Sequence, residues 1–179
     1  MLTNIKTNLE TIEAMLYFWQ ATSEKENVAE SFFYDVANMK GLTLCYDDEF
    51  TGESIRKVLS AIKNRELLSN ANQKEKRFWN YNMWVMEDFE YTNSMVAPVK
   101  KLNLDFLVDK LNKKMENIKY DNIEVFFAPL HLDDYVIKDN CLVLNFFKVK
   151  PSDFDDSTLF TDKVLEEYIE DRLIELLNK

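Results

Sequence analysis

The hydrophobic period changes once along the chain, and that change constrains the fold more than any single residue does. Through the first half, apolar side chains recur at the spacing of one helix face. Leu9, Ile12 and Leu16, widened by Met15 and Tyr17, set a first helix over Asn4 to Ala21. Ser23 and Glu26 have the spacing of a capping box, in which each side chain satisfies the other's free backbone N–H. A second helix then runs to Met39 with Val28, Phe32, Phe33 and Val36 inward, and Gly41 is placed to close it as a left-handed cap. Leu42, Leu44 and Tyr46 alternate with Thr43 and Cys45, the pattern of a short strand. Thr51 is placed to cap a third helix carrying the stripe Ile55, Val58, Leu59 and Ile62. Asn72 with Glu75 resembles another capping box, opening a fourth helix over Gln73 to Phe89.

Beyond this point extended patterns enter. Met95 to Val99 reads as extended, with Pro98 marking an edge strand or a bulge. Asn103 is placed to cap a fifth helix with Leu104, Leu107, Val108, Leu111 and Met115 at helical spacing. Ile123 to Ala128 is a β-branched and aromatic run ended by Pro129. Asp139-Asn140, residues that tolerate positive φ, separate Tyr135-Val136-Ile137 from Leu142 to Val149 and predict a hairpin. Pro151 stops the long strand, and an amphipathic helix closes the chain over Thr161 to Leu177. The expected fold is α+β: a helical N-terminal half, then a small, mainly antiparallel sheet of about three to five strands with flanking helices. One domain over residues 1–179 is expected. A boundary at Tyr91 to Ser94 would divide residues 1–92 from 93–179, but no flexible linker marks it.

Several function classes are excluded by what the chain lacks. It has two glycines, Gly41 and Gly52, and they do not cluster. Phosphate-cradling loops need several glycines for close backbone approach, so nucleotide-binding loops of the P-loop, dinucleotide and kinase types are absent. Cys45 and Cys141 stand far apart beside apolar neighbours and read as buried free thiols. That usage, a start (Met1 to Lys6) unlike a signal peptide, and no apolar run of about 20 residues point to a soluble cytoplasmic protein without a membrane segment. A net charge of −10 opposes general nucleic-acid binding.

Candidate residues fall into four groups. His131 is the one histidine, and with Asp133 and Asp134 it offers a general base or a shared metal ligand. Its ordinary reading is a loop histidine beside solvated turn aspartates. Acids cluster at Asp47-Asp48-Glu49, at Glu87-Asp88, and at Asp153, Asp155 and Asp156. None has the spacing of a calcium loop, and the last group is expected to favour the dipole of the final helix. Charge is segregated: Arg56, Lys57, Lys63, Arg65, Lys74, Lys76 and Arg77 meet only Glu66 and Glu75, whereas residues 151–179 hold nine acids against three bases. The basic block suits a phosphate-bearing ligand or serves as an ordinary charged face. Finally, Phe78-Trp79-Asn80-Tyr81-Asn82-Met83-Trp84-Val85-Met86 makes a helix apolar almost all round, which suits the core or a shared interface.

Three functional expectations follow. The first is a non-catalytic intracellular interaction module, immunity- or antitoxin-like or self-associating. It would meet a basic protein partner or a second copy through Trp79, Tyr81 and Trp84 and through the acidic face Glu166, Glu167, Glu170 and Asp171. The second is a hydrolase or metal-assisted enzyme built on His131 with Asp133 or Asp134. The third is a small-molecule sensor with an aromatic pocket. No cofactor and no metal site is implied by any motif.

Overall fold

The computed structural model describes every residue from Met1 to Lys179. Residues Asn4–Asn8 form strand β1, where the start of a helix was expected. Asn8 Oδ1 accepts the Glu10 N–H at 3.0 Å and turns the chain into α1 (Glu10–Ser23). The first five residues of the expected helix instead pair with a segment over a hundred residues away, and that distant pairing overrides local spacing. Ser23 is the last residue of α1, so the expected Ser23–Glu26 capping box does not form. Backbone N–H groups of Glu24, Lys25 and Glu26 close α1 on the Gln20, Thr22 and Ala21 carbonyls instead, and α2 (Glu30–Ala37) begins later.

The expected strand at Leu42 to Tyr46 is also helical. Residues Lys40–Thr43 form the single-turn helix α3, and further turn bonds run from Cys45 to Leu42 and from Tyr46 to Thr43. Gly41 lies inside α3 and has no positive φ, so it is not a left-handed cap. Its value is space: a Cβ there would sit 2.8 Å from Thr11 Oγ1 of α1. Of the three other capping expectations two hold. Thr51 and Ser54 cap each other's backbone at the start of α4 (Gly52–Asn64), and Asn72 and Glu75 do so at the start of α5 (Gln73–Glu87).

Asp88 ends α5 and caps α6 (Phe89–Lys100) through Tyr91 N–H. The segment Met95 to Val99, expected to be extended, is helical with Pro98 near the end of α6. Met95, Val96 and Val99 bury one face of that helix, and their burial offsets the cost of a proline in its last turn. Asn103 Oδ1 accepts the Asp105 N–H at 2.9 Å, and α7 (Phe106–Lys114) follows. The third capping expectation fails, since α7 has Asp105 and not Asn103 at its N-cap position, without a side-chain cap.

The central sheet has the order β1-β2-β4-β3, with β2 at Asn122–Ala128, β3 at Tyr135–Lys138 and β4 at Cys141–Asn145. The hairpin β3–β4 forms as expected, with Asp139 at φ 53°. Two of its three ladders, β1–β2 and β2–β4, are parallel. Antiparallel pairing is confined to β3–β4 and to a second small sheet, β5 (Val149–Pro151), β6 (Thr158–Phe160) and β7 (Lys163–Val164). The long strand expected over Leu142 to Val149 is broken by a 3-10 turn at Phe146–Lys148. The last helix, α8 (Leu165–Leu177), starts later than expected because Lys163–Val164 belong to β7. Asp153, Asp155 and Asp156 therefore lie in the β5–β6 turn and do not act on the dipole of α8.

α1 and α3 pack on β2, α7 on β1 and α8 on β4. The buried apolar side chains form one contiguous cluster from Leu2 to Leu176, drawn from both sides of Tyr91. No helix is long and apolar enough to cross a membrane.

Candidate functional site

α5 presents different chemistry inward and outward. Phe78, Asn82 and Val85, at helical spacing, face the core and are almost completely buried. Asn82 Oδ1 accepts the Trp19 indole N–H at 2.8 Å, and its amide donates to the Phe78 carbonyl at 2.8 Å. Both ends of a buried amide are thus satisfied, as burial of a polar group requires. Trp79, Tyr81, Met83 and Met86 are half-buried, and Trp84 stands 43% exposed. Its indole meets the Tyr91 ring edge-on at a centroid distance of 5.7 Å.

Two concavities adjoin at Trp84. One, of about 330 Å³, is lined by Trp84, Val85, Asp88, Tyr91 and Thr92. The other, of about 480 Å³, is lined by Arg77, Asn80, Tyr81, Trp84, Phe147 and Lys148. The Tyr81 ring packs on Phe147 with centroids 4.9 Å apart. The Arg77 guanidinium lies 5.6 Å and the Lys148 ammonium 5.7 Å from the centre of the same ring. Burial raises the Tyr81 phenol pKa, but hydrogen bonds and charge from Arg77 and Lys148 outweigh it and hold the phenol below its usual range. The direction of that shift reports a locally positive field in a chain of net charge −10. Arg77 enters none of the chain's ion pairs, whereas Lys148 has Asp134 at 3.7 Å.

Asn145, at the end of β4, builds one wall of this site. Fully buried, it accepts the N–H groups of Leu130 (3.3 Å) and Phe147 (3.1 Å). Its amide donates to the His131 and Asp133 carbonyls, each at 3.1 Å. One side chain thereby fixes both the 3-10 turn that carries Phe147 and Lys148 and the loop that carries His131.

The His131 imidazole is fully buried, edge-on to Phe50 with centroids 4.5 Å apart. Its Nδ1 accepts the Asp133 N–H at 3.4 Å, and its Nε2 has no partner. Burial lowers its pKa to about 4, so the ring is neutral at ordinary pH. Asp133 pairs with Lys74 at 3.8 Å and Asp134 with Lys148 at 3.7 Å; neither carboxylate forms an ion pair with the imidazole. The acid clusters have local structural partners as well. Asp47 Oδ1 accepts the N–H groups of Glu49 and Phe50, Asp88 caps α6, and Asp155 Oδ1 accepts the Ser157 N–H.

The basic and acidic blocks do not pair with each other. Lys57 pairs with Glu75, Lys63 with Glu30, and Lys74 with Asp47 and Asp133. Arg56 stacks 4.5 Å over the Tyr34 ring. Arg65 and Lys76 are exposed and, like Arg77, enter no ion pair. On α8, Glu170 is held by Lys110 and Lys114, which keep its carboxyl below the usual range, and Asp171 is held by Lys163. Glu166 and Glu167 remain exposed and outside the chain's ion pairs.

Sequence reasoning picked out Arg77, Tyr81 and Trp84, and the structure brings these together on one face. Trp79 lines neither concavity. Asn80, Phe147 and Lys148 were missed as site residues: Phe147 and Lys148 arrive from the far end of β4, and no local pattern joins them to α5. Comparison of the chain with protein-family models, with curated proteins and with solved structures finds no match.

Proposed function

We propose that this chain is a non-catalytic protein-interaction module that holds an acidic, aromatic-bearing segment of a partner against the Trp84 face of α5. One observation carries the reading: Arg77, without a carboxylate partner, shares the Tyr81 ring with Lys148 beside an exposed tryptophan. Trp, Tyr and Arg are the side chains that dominate the energetics of protein interfaces. An unpaired guanidinium next to an aromatic wall supplies charge-assisted hydrogen bonds to a carboxylate and a face for a ring. The chain's acidity suggests a basic partner, but the field that a docked segment meets is local and positive. Two of the four acids expected to make the acidic face of α8, Glu170 and Asp171, are already paired within the chain.

The test is fluorescence titration. Trp19 is buried, Trp79 is half-buried and lines neither concavity, and Trp84 is exposed, so a docked peptide acts chiefly on Trp84 emission. Short acidic peptides with one central phenylalanine are expected to shift that emission saturably, and Arg77→Glu to weaken the effect about tenfold or more. Equal response to peptides with lysine in place of the acids, or no loss in Arg77→Glu, would overturn the assignment.

A further inference from the structure

On the same chain, in the turn that follows β5, stands a segment with the chemistry the face selects. Phe154 is 95% exposed, the most exposed aromatic side chain of the protein. A phenylalanine bared to this degree buries almost none of its ring in the fold that displays it. It is flanked by Asp153, Asp155 and Asp156, also exposed. The turn that carries it is built rather than loose. Ser152 N–H donates to the Ser157 carbonyl at 3.0 Å, and Phe154 N–H donates to Ser152 Oγ at 3.2 Å. Asp155 Oδ1 accepts the Ser157 N–H at 2.9 Å, which leaves Asp153 and Asp156 as the free acids beside the ring. The knob is therefore pre-organised between β5 and β6, and docking it costs little ordering entropy.

The fold does not seat this ring in the chain's own socket, since Phe154 stands 95% exposed. Asp156 and Ser157 line a cavity with Pro98 and Lys101 at the C-terminal end of α6, whereas Tyr91 of the Trp84 face lies near the N-terminal end of that helix. The ten residue steps from Tyr91 to Lys101 span about 15 Å along the helix.

We infer that the Phe154 turn of one copy docks on the Trp84 face of a second copy. The Phe154 ring enters the concavity between Trp84 and Tyr81, and Asp153 and Asp156 meet Arg77 and Lys148. This rests on the proposed Trp84 interaction site and names its partner as another copy of the chain. Knob and socket are different surfaces, so the contact is head-to-tail: each copy can accept one neighbour and offer a knob to another, giving a closed ring or an open array.

The contact is tested by complementation, with mass measured by light scattering from micromolar to millimolar protein. Wild type is expected to gain apparent mass with concentration. Phe154→Ala, which lacks the knob, and Trp84→Ala, which lacks the socket, should each stay monomeric. Mixed, they should form a one-to-one pair through the remaining intact knob and socket. Both side chains are exposed, so folding is expected to survive, and circular dichroism checks it; Arg77→Glu serves as a second socket variant and Asp156→Lys as a second knob variant, each lowering association about tenfold. A wild type monomeric throughout, or a mixture of the two variants without a heterodimer, overturns the inference. The synthetic segment Ser152 to Ser157, added as a peptide, separates the two proposals. If self-association fails yet other acidic aromatic peptides bind at Trp84, the interaction reading stands and the second-copy partner falls; if no acidic peptide binds, both fall.

Discussion

Protonation of His131 is expected to destabilise the fold within a defined pH window. The ring is fully buried against Phe50, and the charged groups near it are Asp133, Asp47 and Lys74. Desolvation is the first cause of its lowered pKa; Lys74 adds to it, and the two aspartates offset part of it. Its folded pKa is about 4 against an ordinary value of 6.5. Above 6.5 the ring is neutral in both states, and the folded protein has its full stability. As pH falls below 6.5 the unfolded chain binds the proton first, so stability declines, and the decline ends once the folded ring titrates near 4. Across that interval the depressed pKa corresponds to about 3 kcal/mol. His131→Leu removes the proton site at similar volume and also removes the unpartnered Nε2 from the interior, so at neutral pH it should cost little. The assay is a set of urea melts for wild type and variant from about pH 7.5 down to 4.5. Carboxylates titrate in both proteins and largely cancel in the difference. The wild type should lose stability relative to His131→Leu by about 2–3 kcal/mol over that span. Parallel curves would refute the reasoning, and would mean that the imidazole keeps its proton in a solvated setting.

Asn145→Leu should cost about 3 kcal/mol or more, because it strands the Leu130 and Phe147 N–H groups and two loop carbonyls in the interior. Denaturant melts read the stability loss, and weaker peptide quenching at Trp84 would follow from misplacement of Phe147 and Lys148. Gly41→Ala should destabilise by about 1–3 kcal/mol, since its Cβ meets Thr11 Oγ1 at 2.8 Å in a buried contact. The double variant Gly41→Ala with Thr11→Ala should recover part of that loss, and a simple sum of two penalties would exclude the steric cause.

What the sequence revealed was decided within a few residues, and what it hid was decided across the chain. The caps at Thr51 and Asn72 were legible because each partner sits three residues away. The β3–β4 hairpin was legible because Asp139 and Asn140 connect its strands directly. β1 was not: its five residues become a strand only by lying in parallel register with residues 122–126 of β2. A signal for the parallel ladders did exist, since Val125 to Ala128 and all of β4 are buried without alternation, as strands covered on both faces are. Pro98 misled in the opposite direction. Its ring reads as a helix breaker, yet the neighbouring Met95, Val96 and Val99 form a helical face that the core buries. At the site, Arg77, Tyr81 and Trp84 share α5 and could be found by their spacing. Lys148 is brought to Tyr81 by the 3-10 turn that Asn145 caps, a tertiary effect without a local signature.

The charge pattern shows why net charge is a poor guide to the partner of this chain. Interactions between exposed charges are screened beyond about 8 Å at physiological salt, so a docked group feels its neighbours and not the whole molecule. Three of the seven cations of the basic block, Lys57, Lys63 and Lys74, are neutralised by Glu30, Asp47, Glu75 and Asp133, and Glu170 and Asp171 of α8 by Lys110, Lys114 and Lys163. Among the exposed charges that pairing within the chain leaves over, which include Arg65, Lys76, Glu166 and Glu167, are Arg77 beside the Trp84 wall and Asp153 and Asp156 on either side of Phe154 in sequence. These residues carry opposite sign and complementary apolar surface, and neither is satisfied by the fold that presents it. The excess acidity then has a distinct consequence, general repulsion between copies at low salt, which opposes non-specific association and would leave the proposed docking of Phe154 at Trp84 dependent on the local contact of unlike charges.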